Sequence, residues 1–569
     1  MKTIQSIVFS FLVITALAFT GCVGLGSMEK HIEELGASAE PEPLIVRGDS
    51  VELNISGKFP EKYFHKKVIV EATPVLVHGE SETSYEMQGY RGEDAASNYE
   101  MIPFESGKAF EYSDRVAYTQ AMENNSRLEL RIQGSKGNKT AEFEPLVLGA
   151  GVITTPYLMM SDDRPIMAKD NFQRVLTFTQ EGVINYACNS SFVSSKESRD
   201  ADVDDMKSLM ALAASADSVT ITGCEVQAYA SPEGEISLNE DLAQQRAESA
   251  NSVIMKEMKR KKILPEGDGF FVNTPKGEDW EGFKELMKAS NIEDKNLILR
   301  VLEQYSDKTK REQEIKNISK TYKEIEKDIL PSLRRSQITV TYTVEGYTDE
   351  ELMAYSESMP DSLTVEELLY AATLFDDARK KVAIYEAAER VDSEDPRATN
   401  NIGVLYMIEN RMNDAESKFN RALEVDPGNV IAMNNSAIIL RMKGDRTAAM
   451  EMLNQAMSAG PEVKYNKGLV QIQDGDYAGA ISNMSEENTF NVVLAKLLNG
   501  DNNGAKTTLE NSDDDSAIAD YLAAIIAARM NNASDVTSKL SSAISKDGSL
   551  KEKAMNDLEF RNFSDSFNF

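Results

Sequence analysis

The sequence predicts a multidomain protein with an N-terminal β-sandwich, a central α/β domain and a C-terminal all-α solenoid. Three patterns in its 569 residues support this prediction. Short alternating stretches lie near the start, a strand–turn–helix unit occupies residues 219–262, and a 34-residue period appears near the end. The length predicts three or four domains of ~150 residues each, and the apolar fraction of 41% is enough for several hydrophobic cores.

Residues 1–21 are typical of an export signal, because Lys2 precedes an apolar run over residues 7–19 that is too short to span a bilayer. Gly21 then precedes Cys22, and a small residue before a cysteine at the end of such a run resembles the lipobox of bacterial lipoproteins. The resemblance implies cleavage before Cys22, acylation of its thiol and new amino group, and a membrane anchor. A plain secretory signal followed by an unrelated cysteine is the alternative.

Residues 22–43 contain several Glu, Ala and Pro residues and are predicted to be a tether between the anchor and the first folded domain. The N-terminal region resembles outer-membrane lipoproteins of Bacteroidetes. In those proteins a run of acidic residues after the cysteine marks surface display, and no such run follows Cys22. The protein is therefore expected to be anchored in the outer membrane and to face the periplasm.

Residues 44–160 contain short alternating stretches at 50–55, 67–77 and 127–132, separated by turns and without a helical stripe. Several short strands at close intervals predict a β-sandwich. No arrangement of residues typical of a catalytic site is evident in this segment. It is interpreted either as a spacer that sets a distance from the membrane or as a docking surface for a neighbouring envelope protein.

The central prediction rests on a strand, a tight turn and a long helix within residues 219–262. Residues 220–229 alternate and are rich in β-branched side chains, and Pro232 and Gly234 supply turn chemistry directly afterwards. Asn239 is predicted to cap the helix. Small and apolar residues at spacings of three and four then form one buried stripe: Ala243, Ala247, Ala250, Ile254 and Met258.

This stretch resembles the signature of the OmpA-like domain, a family that binds peptidoglycan. The resemblance is carried by Ala228-Tyr229-Ala230-Ser231, Gly234, Asn239 and Leu242-Ala243-Gln244-Gln245-Arg246-Ala247. In that family an aspartate and an arginine hold the diaminopimelate of the wall peptide. Arg246 matches the arginine and can grip a carboxylate with two hydrogen bonds. Ser231 stands where the family has the aspartate, and Glu233 in the same loop is the candidate replacement.

The α/β domain is predicted to span residues 163–347 in the order βαβαβ…β, as expected for helices packed on a sheet. A charged stretch at 280–330 is interpreted as a solvated helix pair inserted before the last strand. The Arg-Arg pair before that strand also resembles the OmpA-like family. The candidate peptidoglycan-binding residues are Ser231, Glu233, Asn239, Arg246 and Arg335.

Residues 361–546 are predicted to be a repeat array, with a period of 34 residues in the earlier copies and shorter, degenerate copies after them. One copy is marked by Gly403, Tyr406, Ala415, Phe419, Ala422 and Pro427, and the next by Ala437, Leu440, Ala449, Leu453, Ala456 and Pro461. These positions resemble the tetratricopeptide repeat, whose helical hairpins stack into a solenoid. The resemblance implies a protein partner on the repeats. Residues 547–569 are predicted to be a final helix and an aromatic tail, which either caps the array or inserts into a partner.

Several classes of function are disfavoured by composition. A formal net charge of -32 argues against binding to nucleic acid or to an anionic lipid surface. None of the three histidines lies at ligand spacing from a cysteine, so no metal or other cofactor is expected. Cys188 and Cys224 fall on predicted strands, where they either form a disulfide or stay as buried thiols. Acidic runs at 376–377 and 513–515 are interpreted as solvated turns, and no enzyme activity is expected.

Two hypotheses follow. In the first, the protein is a non-enzymatic lipoprotein scaffold that links the outer membrane to peptidoglycan through the OmpA-like domain and recruits protein partners through the repeats. In the second, it is a protein–protein adaptor of an outer-membrane machine whose OmpA-like domain no longer binds peptidoglycan.

Overall fold

The computed structural model of the chain describes residues 24–123, 126–265, 267 and 269–567. These residues form two compact units. The first unit combines the chain up to Ala168 with the chain from Glu394 onward, and the second is Lys169–Ser393. Cys22, the predicted lipidation site, lies outside the described residues. Within the described ranges, no helix is both long and apolar enough to cross a membrane.

The N-terminal part of the first unit is built from two sheets whose inner faces share one core. Antiparallel pairs predominate, with β12 beside β2 and β7 beside β6 as parallel exceptions. The first sheet contains β1 (Ser38–Glu40), β2 (Leu44–Arg47), β3 (Ser50–Phe59), β8 (Lys108–Ala117) and β12 (Val152–Ile153). The second contains β4 (Ile69–His78), β5 (Ser81–Ser84), β6 (Gln88–Gly92), β7 (Glu100–Ile102), β9 (Arg127–Lys136), β10 (Lys139–Glu142) and β11 (Leu146–Ala150). Alternating residues of β3, β4 and β9 fill the space between the sheets, as the alternation in the sequence predicts.

The tether predicted over residues 22–43 is wrong for its described part. Residues 24–40 form the helix α1 (Leu25–Lys30), a 3-10 turn and strand β1. Leu25 and Met28 are only 2% and 1% exposed, because both enter the core between the sheets. The Tyr63 hydroxyl also donates a hydrogen bond to the Met28 carbonyl oxygen at 2.8 Å. Residues 24–40 are therefore part of the folded β-rich region.

The second unit contains a four-stranded sheet in the order β13-β16-β14-β15, in which only β14 and β15 run parallel. Its strands are β13 (Val175–Asn185), β14 (Val219–Ala230), β15 (Phe271–Glu278) and β16 (Arg335–Glu345). Helices α2 (Ala201–Ala213) and α3 (Ile236–Lys261) cover one face, and the predicted stripe on α3 is buried there. The order of strands and helices follows the sequence prediction, but the domain begins later than residue 163, because residues 163–168 run along the repeat helices.

Five helices separate β15 from β16, where the sequence predicts a solvated pair over 280–330. They are α4 (Trp280–Ala289), α5 (Lys295–Gln304), α6 (Lys308–Asn317), α7 (Ser319–Asp328) and α8 (Leu330–Leu333). The prediction of a solvated pair is wrong because this segment has its own hydrophobic core, which includes Phe283, Ile298 and Ile325. The high density of Lys and Glu on the outer faces conceals that core in the sequence.

Helical hairpins follow the sheet. Helices α9 (Asp349–Ser358), α10 (Val365–Thr373) and α11 (Ala378–Val391) belong to the second unit. The first unit holds five further hairpins, which we call the repeat array: α12 (Pro396–Ile408) with α13 (Met412–Val425), α14 (Val430–Met442) with α15 (Arg446–Gln455), α16 (Glu462–Asp474) with α17 (Tyr477–Asn483), α18 (Phe490–Leu498) with α19 (Asn502–Glu510), and α20 (Ala517–Arg529) with α21 (Ala533–Lys546). The predicted solenoid is thus confirmed as a helical repeat array.

Small residues allow the two helices of a hairpin to pack closely. A Cβ atom placed on Gly403 would lie 2.5 Å from the ring of Phe419, and one on Gly468 would lie 2.5 Å from Met484. These glycines are therefore required by close packing between helices, as the repeat pattern predicts.

The C-terminal segment closes the last hairpin. After α22 (Leu550–Asn556), Phe560 and Phe563 are 1% and 8% exposed and join the core of α20 and α21. The Phe560 ring meets the Tyr521 ring edge-on at 5.6 Å between centroids. Of the two predicted roles of the tail, capping is the one these residues adopt. Phe569 lies outside the described residues.

Candidate functional site

The loop between β14 and α3 holds most of the residues predicted from the resemblance. Helix α3 begins at Ile236 after Glu235, so Asn239 is not the predicted cap but lies inside the first turns of the helix. Its side chain is buried, and Nδ2 donates to the Glu233 carbonyl oxygen at 3.1 Å and to Glu278 Oε1 at 3.0 Å. Asn239 therefore fixes the loop against β15.

Arg246 is buried beneath this loop, with 1% of its surface exposed. Its three guanidinium-group nitrogens each donate to a backbone carbonyl oxygen: Nη1 to Tyr229 at 2.8 Å, Nε to Ser190 at 3.1 Å and Nη2 to Ala187 at 3.4 Å. Its Cζ atom also lies 5.1 Å from the centroid of the Tyr186 ring. Burial lowers the pKa of Arg246 to about 10. The side chain is held by the protein's own backbone.

Glu233 pairs with an arginine that the sequence prediction did not select. Arg334 donates to Glu233 Oε1 from Nη2 at 2.8 Å and from Nε at 3.1 Å. The Ser231 hydroxyl donates to the same oxygen at 2.7 Å and accepts from Arg334 Nε at 3.2 Å. Ser231 and Arg334 are buried, with 4% and 8% exposure. The sequence signal for Arg334 was the Arg-Arg pair, but only the strand register decides which of the two faces the loop.

Arg335, the predicted member of that pair, contacts different groups. Its Nη1 donates to Asp279 Oδ2 at 2.7 Å, and its Cζ lies 4.6 Å from the centroid of the Tyr229 ring. Asp279 also accepts from the Gly282 N–H at 2.8 Å and so caps α4. Arg335 thus joins the sheet to the inserted helices, while Ser231, Glu233 and Arg334 form a cluster of their own.

The two cysteines of this domain are both free thiols. Cys224 is buried in the core, and burial raises its pKa to about 12. Cys188 is exposed, and its Sγ lies 3.6 Å from Glu233 Oε1. Desolvation and the charge of Glu233 raise the pKa of Cys188. Among the described residues, no group of His, Cys, Asp and Glu side chains is arranged to hold a metal ion.

A second candidate site lies on the repeat array, and sequence reasoning missed it. Residues 159–168, which we call the strap, run in extended form along the first helices of four successive hairpins, α12, α14, α16 and α18. One asparagine on each helix pairs with both the N–H and the C=O of a single strap residue. The pairs are Asn491 with Met160, Asn466 with Arg164, Asn435 with Ile166 and Asn401 with Ala168, all with distances of 2.7–2.9 Å.

A further row of hydrogen bonds joins these asparagines to their neighbours. Asn435 Nδ2 donates to Asn400 Oδ1 at 2.8 Å, and Asn466 Nδ2 donates to Asn434 Oδ1 at 2.9 Å. The four asparagines just named, together with Asn401, are at most 2% exposed. The sequence signal was the Asn400-Asn401 pair, which recurs as Asn434-Asn435 one 34-residue period later.

Side chains of the strap are bound as well. Arg441 donates from Nε to Asp163 Oδ1 at 2.7 Å, and the two side chains are 2% and 6% exposed. Arg164 pairs with Glu487 at 2.7 and 3.1 Å, and its Cζ lies 3.7 Å from the centroid of the Tyr465 ring. The face built by the first helices is therefore occupied by the chain itself.

Comparison with known proteins identifies no family: no family model matches this chain, and no curated protein matches it. Solved structures match over little more than a third of it. They include the Cut9–Hcn1 hetero-tetramer of APC/C, with 12% identity over 38% of this chain and 46% of that one and a TM-score of 0.31. PilF of Pseudomonas aeruginosa has 16% identity over 38% of this chain and 99% of its own, with a TM-score of 0.28.

A tetratricopeptide repeat protein from Parabacteroides merdae has 15% identity over 36% of this chain and 88% of its own, with a TM-score of 0.29. This chain thus spans about half the length of the Cut9–Hcn1 chain that it matches. These likenesses are too low to carry an argument about function. The function has to be inferred from the geometry of the two sites.

Proposed function

We propose that this protein is a non-enzymatic adaptor of the bacterial outer membrane, anchored by lipid on Cys22 and facing the periplasm, which binds protein partners through its repeats. The α/β domain has the order of strands and helices predicted from the sequence, and we propose that it is a structural module without a peptidoglycan ligand. This is the second of the two hypotheses drawn from the sequence.

One observation supports this choice over wall binding. The guanidinium of Arg246 is 1% exposed and donates to three backbone carbonyl oxygens. The Arg246 guanidinium therefore offers almost no exposed surface to the carboxylate of a wall peptide. To bind there, that carboxylate must displace the hydrogen bonds to the backbone carbonyls. Glu233, the candidate replacement for the family's aspartate, is held by Arg334 and Ser231. Both halves of the expected ligand site are thus satisfied within the protein.

Wall binding is the second candidate because the loop still places a carboxylate, that of Glu233, close to arginine side chains. Ser231 and Glu233 are in direct contact, and the charge of Glu233 acts on Arg246. In that case the ammonium group of the ligand would replace Arg334 as the partner of Glu233. The carboxylate of the ligand would then bind Arg334.

Sedimentation of the full-length protein with peptidoglycan sacculi separates the two candidates. The adaptor proposal expects wild-type protein to stay in the supernatant. Sedimentation of the wild type, lost in the variants Glu233→Gln and Arg334→Lys with an unchanged melting temperature, contradicts the structural role of the domain. Asp513→Ala, in the exposed loop between α19 and α20, is the control for nonspecific loss.

Partner binding through the repeats is tested by site-specific photocrosslinking in intact envelopes. Ile408 and Met442 end the first helices of two successive hairpins, one 34-residue period apart, and are 71% and 45% exposed. A photoreactive residue at either position is expected to yield a discrete adduct with another protein. The control position is Met87 in the β-rich region, which is 44% exposed. Adducts that are equal in kind and amount at all three positions would contradict a partner site on the repeats.

A further inference from the structure

The four asparagines on the first helices recognise a peptide backbone rather than particular side chains. An asparagine side chain offers one carbonyl acceptor and one NH2 donor, so it can pair with the C=O and N–H of one residue as a neighbouring β-strand does. Such pairs recur at Arg164, Ile166 and Ala168, every second residue of the strap. In an extended chain these residues direct their backbone groups to the same side. The row of asparagines therefore fits an extended peptide in one register.

Proline at position 165 agrees with this register. Proline has no backbone N–H and favours an extended preceding residue. It stands between Arg164 and Ile166, at a position where no asparagine accepts from the strap. A proline at position 166 would remove the N–H that donates a hydrogen bond to Asn435 Oδ1 at 2.8 Å.

The strap covers many polar side chains of the groove and supplies their hydrogen-bond partners. Asn434, Asn435 and Asn491 are each 0% exposed, and Arg441 is 3% exposed. A buried polar group left unpaired costs about 1–3 kcal/mol, and a buried charge costs more. When the strap is absent, these polar groups have to be hydrated by water or paired with another peptide.

We propose that the face built by α12, α14, α16 and α18 is a peptide-binding groove, and that the strap of the same chain is its resident ligand. The ligand class is an extended peptide with an acidic residue immediately before an arginine, because Asp163 pairs with Arg441 and Arg164 with Glu487. In the intact protein the groove is closed to peptides supplied from outside. This goes beyond the adaptor role, since it assigns partners to other surfaces of the repeats, such as the helix ends at Ile408 and Met442.

The test uses the full-length chain with residues 160–168 replaced by nine alternating Gly and Ser residues. A fluorescein-labelled peptide of residues 157–170 is titrated into this variant and into the wild type, with anisotropy as the readout. The variant is expected to bind at least about tenfold more tightly, because a tethered strap at roughly millimolar effective concentration competes in the wild type. Equal affinity of the two proteins overturns the proposal.

Peptide variants test the register. Ile166→Pro removes an N–H that the groove uses and is expected to abolish binding, whereas Pro165→Ala is expected to bind within a few-fold of the parent peptide. Equal binding of both, or of a scrambled peptide, shows contact without the proposed register and overturns the proposal.

Hydrogen exchange of the unmodified protein keeps the proposal testable if the strapless variant fails to fold. The amides of Met160, Arg164, Ile166 and Ala168 are expected to exchange at least about tenfold more slowly in wild type than in Asn435→Asp, which keeps an acceptor but loses the NH2 donor. Exchange of the wild-type strap at the rate of an unstructured peptide shows that the groove has no resident ligand, and it overturns the proposal.

Discussion

Replacement of Asp163 by alanine is expected to release the strap from the repeat array. The change leaves Arg441 without its carboxylate, and the two side chains are 2% and 6% exposed in the pair. Loss of one partner of such a buried pair costs about 3–5 kcal/mol. The strap can leave the groove without unfolding the hairpins, so the loss cannot exceed the free energy with which the strap is docked.

Hydrogen exchange of the peptide covering residues 160–168 measures this loss directly. Each 1.4 kcal/mol is a tenfold change in an equilibrium constant, so a cost of about 3 kcal/mol makes exchange by strap opening faster by about 100-fold. The double variant Asp163→Leu with Arg441→Met replaces the ion pair by apolar side chains of similar size. It is expected to recover most of the protection, because such replacements are often neutral or stabilising.

Two results would refute this reasoning. The first is exchange of the strap that is equally fast in wild type and in Asp163→Ala. The second is a double variant no better protected than the single one, since the cost then does not come from an unpaired buried charge. Asp513→Ala, in the exposed loop between α19 and α20, is the matched control and is expected to change the free energy of unfolding by less than about 0.5 kcal/mol.

Three further predictions concern other parts of the chain. Alkylation of native protein is expected at the exposed Cys188 and not at Cys224. Because the pKa of Cys188 is raised, the alkylation rate is expected to rise with pH and at pH 8 to be below that of a free thiol. Mass spectrometry that finds Cys224 modified first would contradict this prediction. Gly403→Ala places a methyl group 2.5 Å from a facing ring and is expected to cost about 1–3 kcal/mol in chemical denaturation. In Gly428→Ala the added Cβ lies no closer than 3.5 Å to a neighbouring atom, so the loss of stability is expected to be smaller than for Gly403→Ala. Cys22→Ser is expected to move the protein from the membrane to the soluble fraction, and retention in the membrane would disprove the lipid anchor.

Periodic patterns were sufficient to predict most of the fold. The stripe on α3 and the 34-residue period each repeat a local rule many times, so single exceptions do not hide them. The N-cap of α3 is Glu235 and not the predicted Asn239, which shows the usual limit of such rules at element ends. Leu25 and Met28 fall within the predicted tether because two apolar residues do not make a detectable period.

The two sites depend on contacts between distant parts of the chain, which local patterns do not contain. Arg246 matches its motif, but its burial is decided by backbone carbonyls of Ala187 and Ser190, more than fifty residues earlier. The strap is a short stretch of mixed polar and apolar residues with one proline and no periodic pattern, and it resembles a linker. The Asn-Asn pairs that bind it were visible, but a sequence alone does not show what they face.

The strap also bears on how the protein folds. It lies between 233 and 331 residues ahead of the asparagines that hold it, so it is synthesised long before they exist. Contacts at such separations form late, because the entropy of closing the intervening loop must be overcome first. The hairpins of the array therefore have to assemble with an open groove, and the return of the strap is expected to be the last and slowest step of folding.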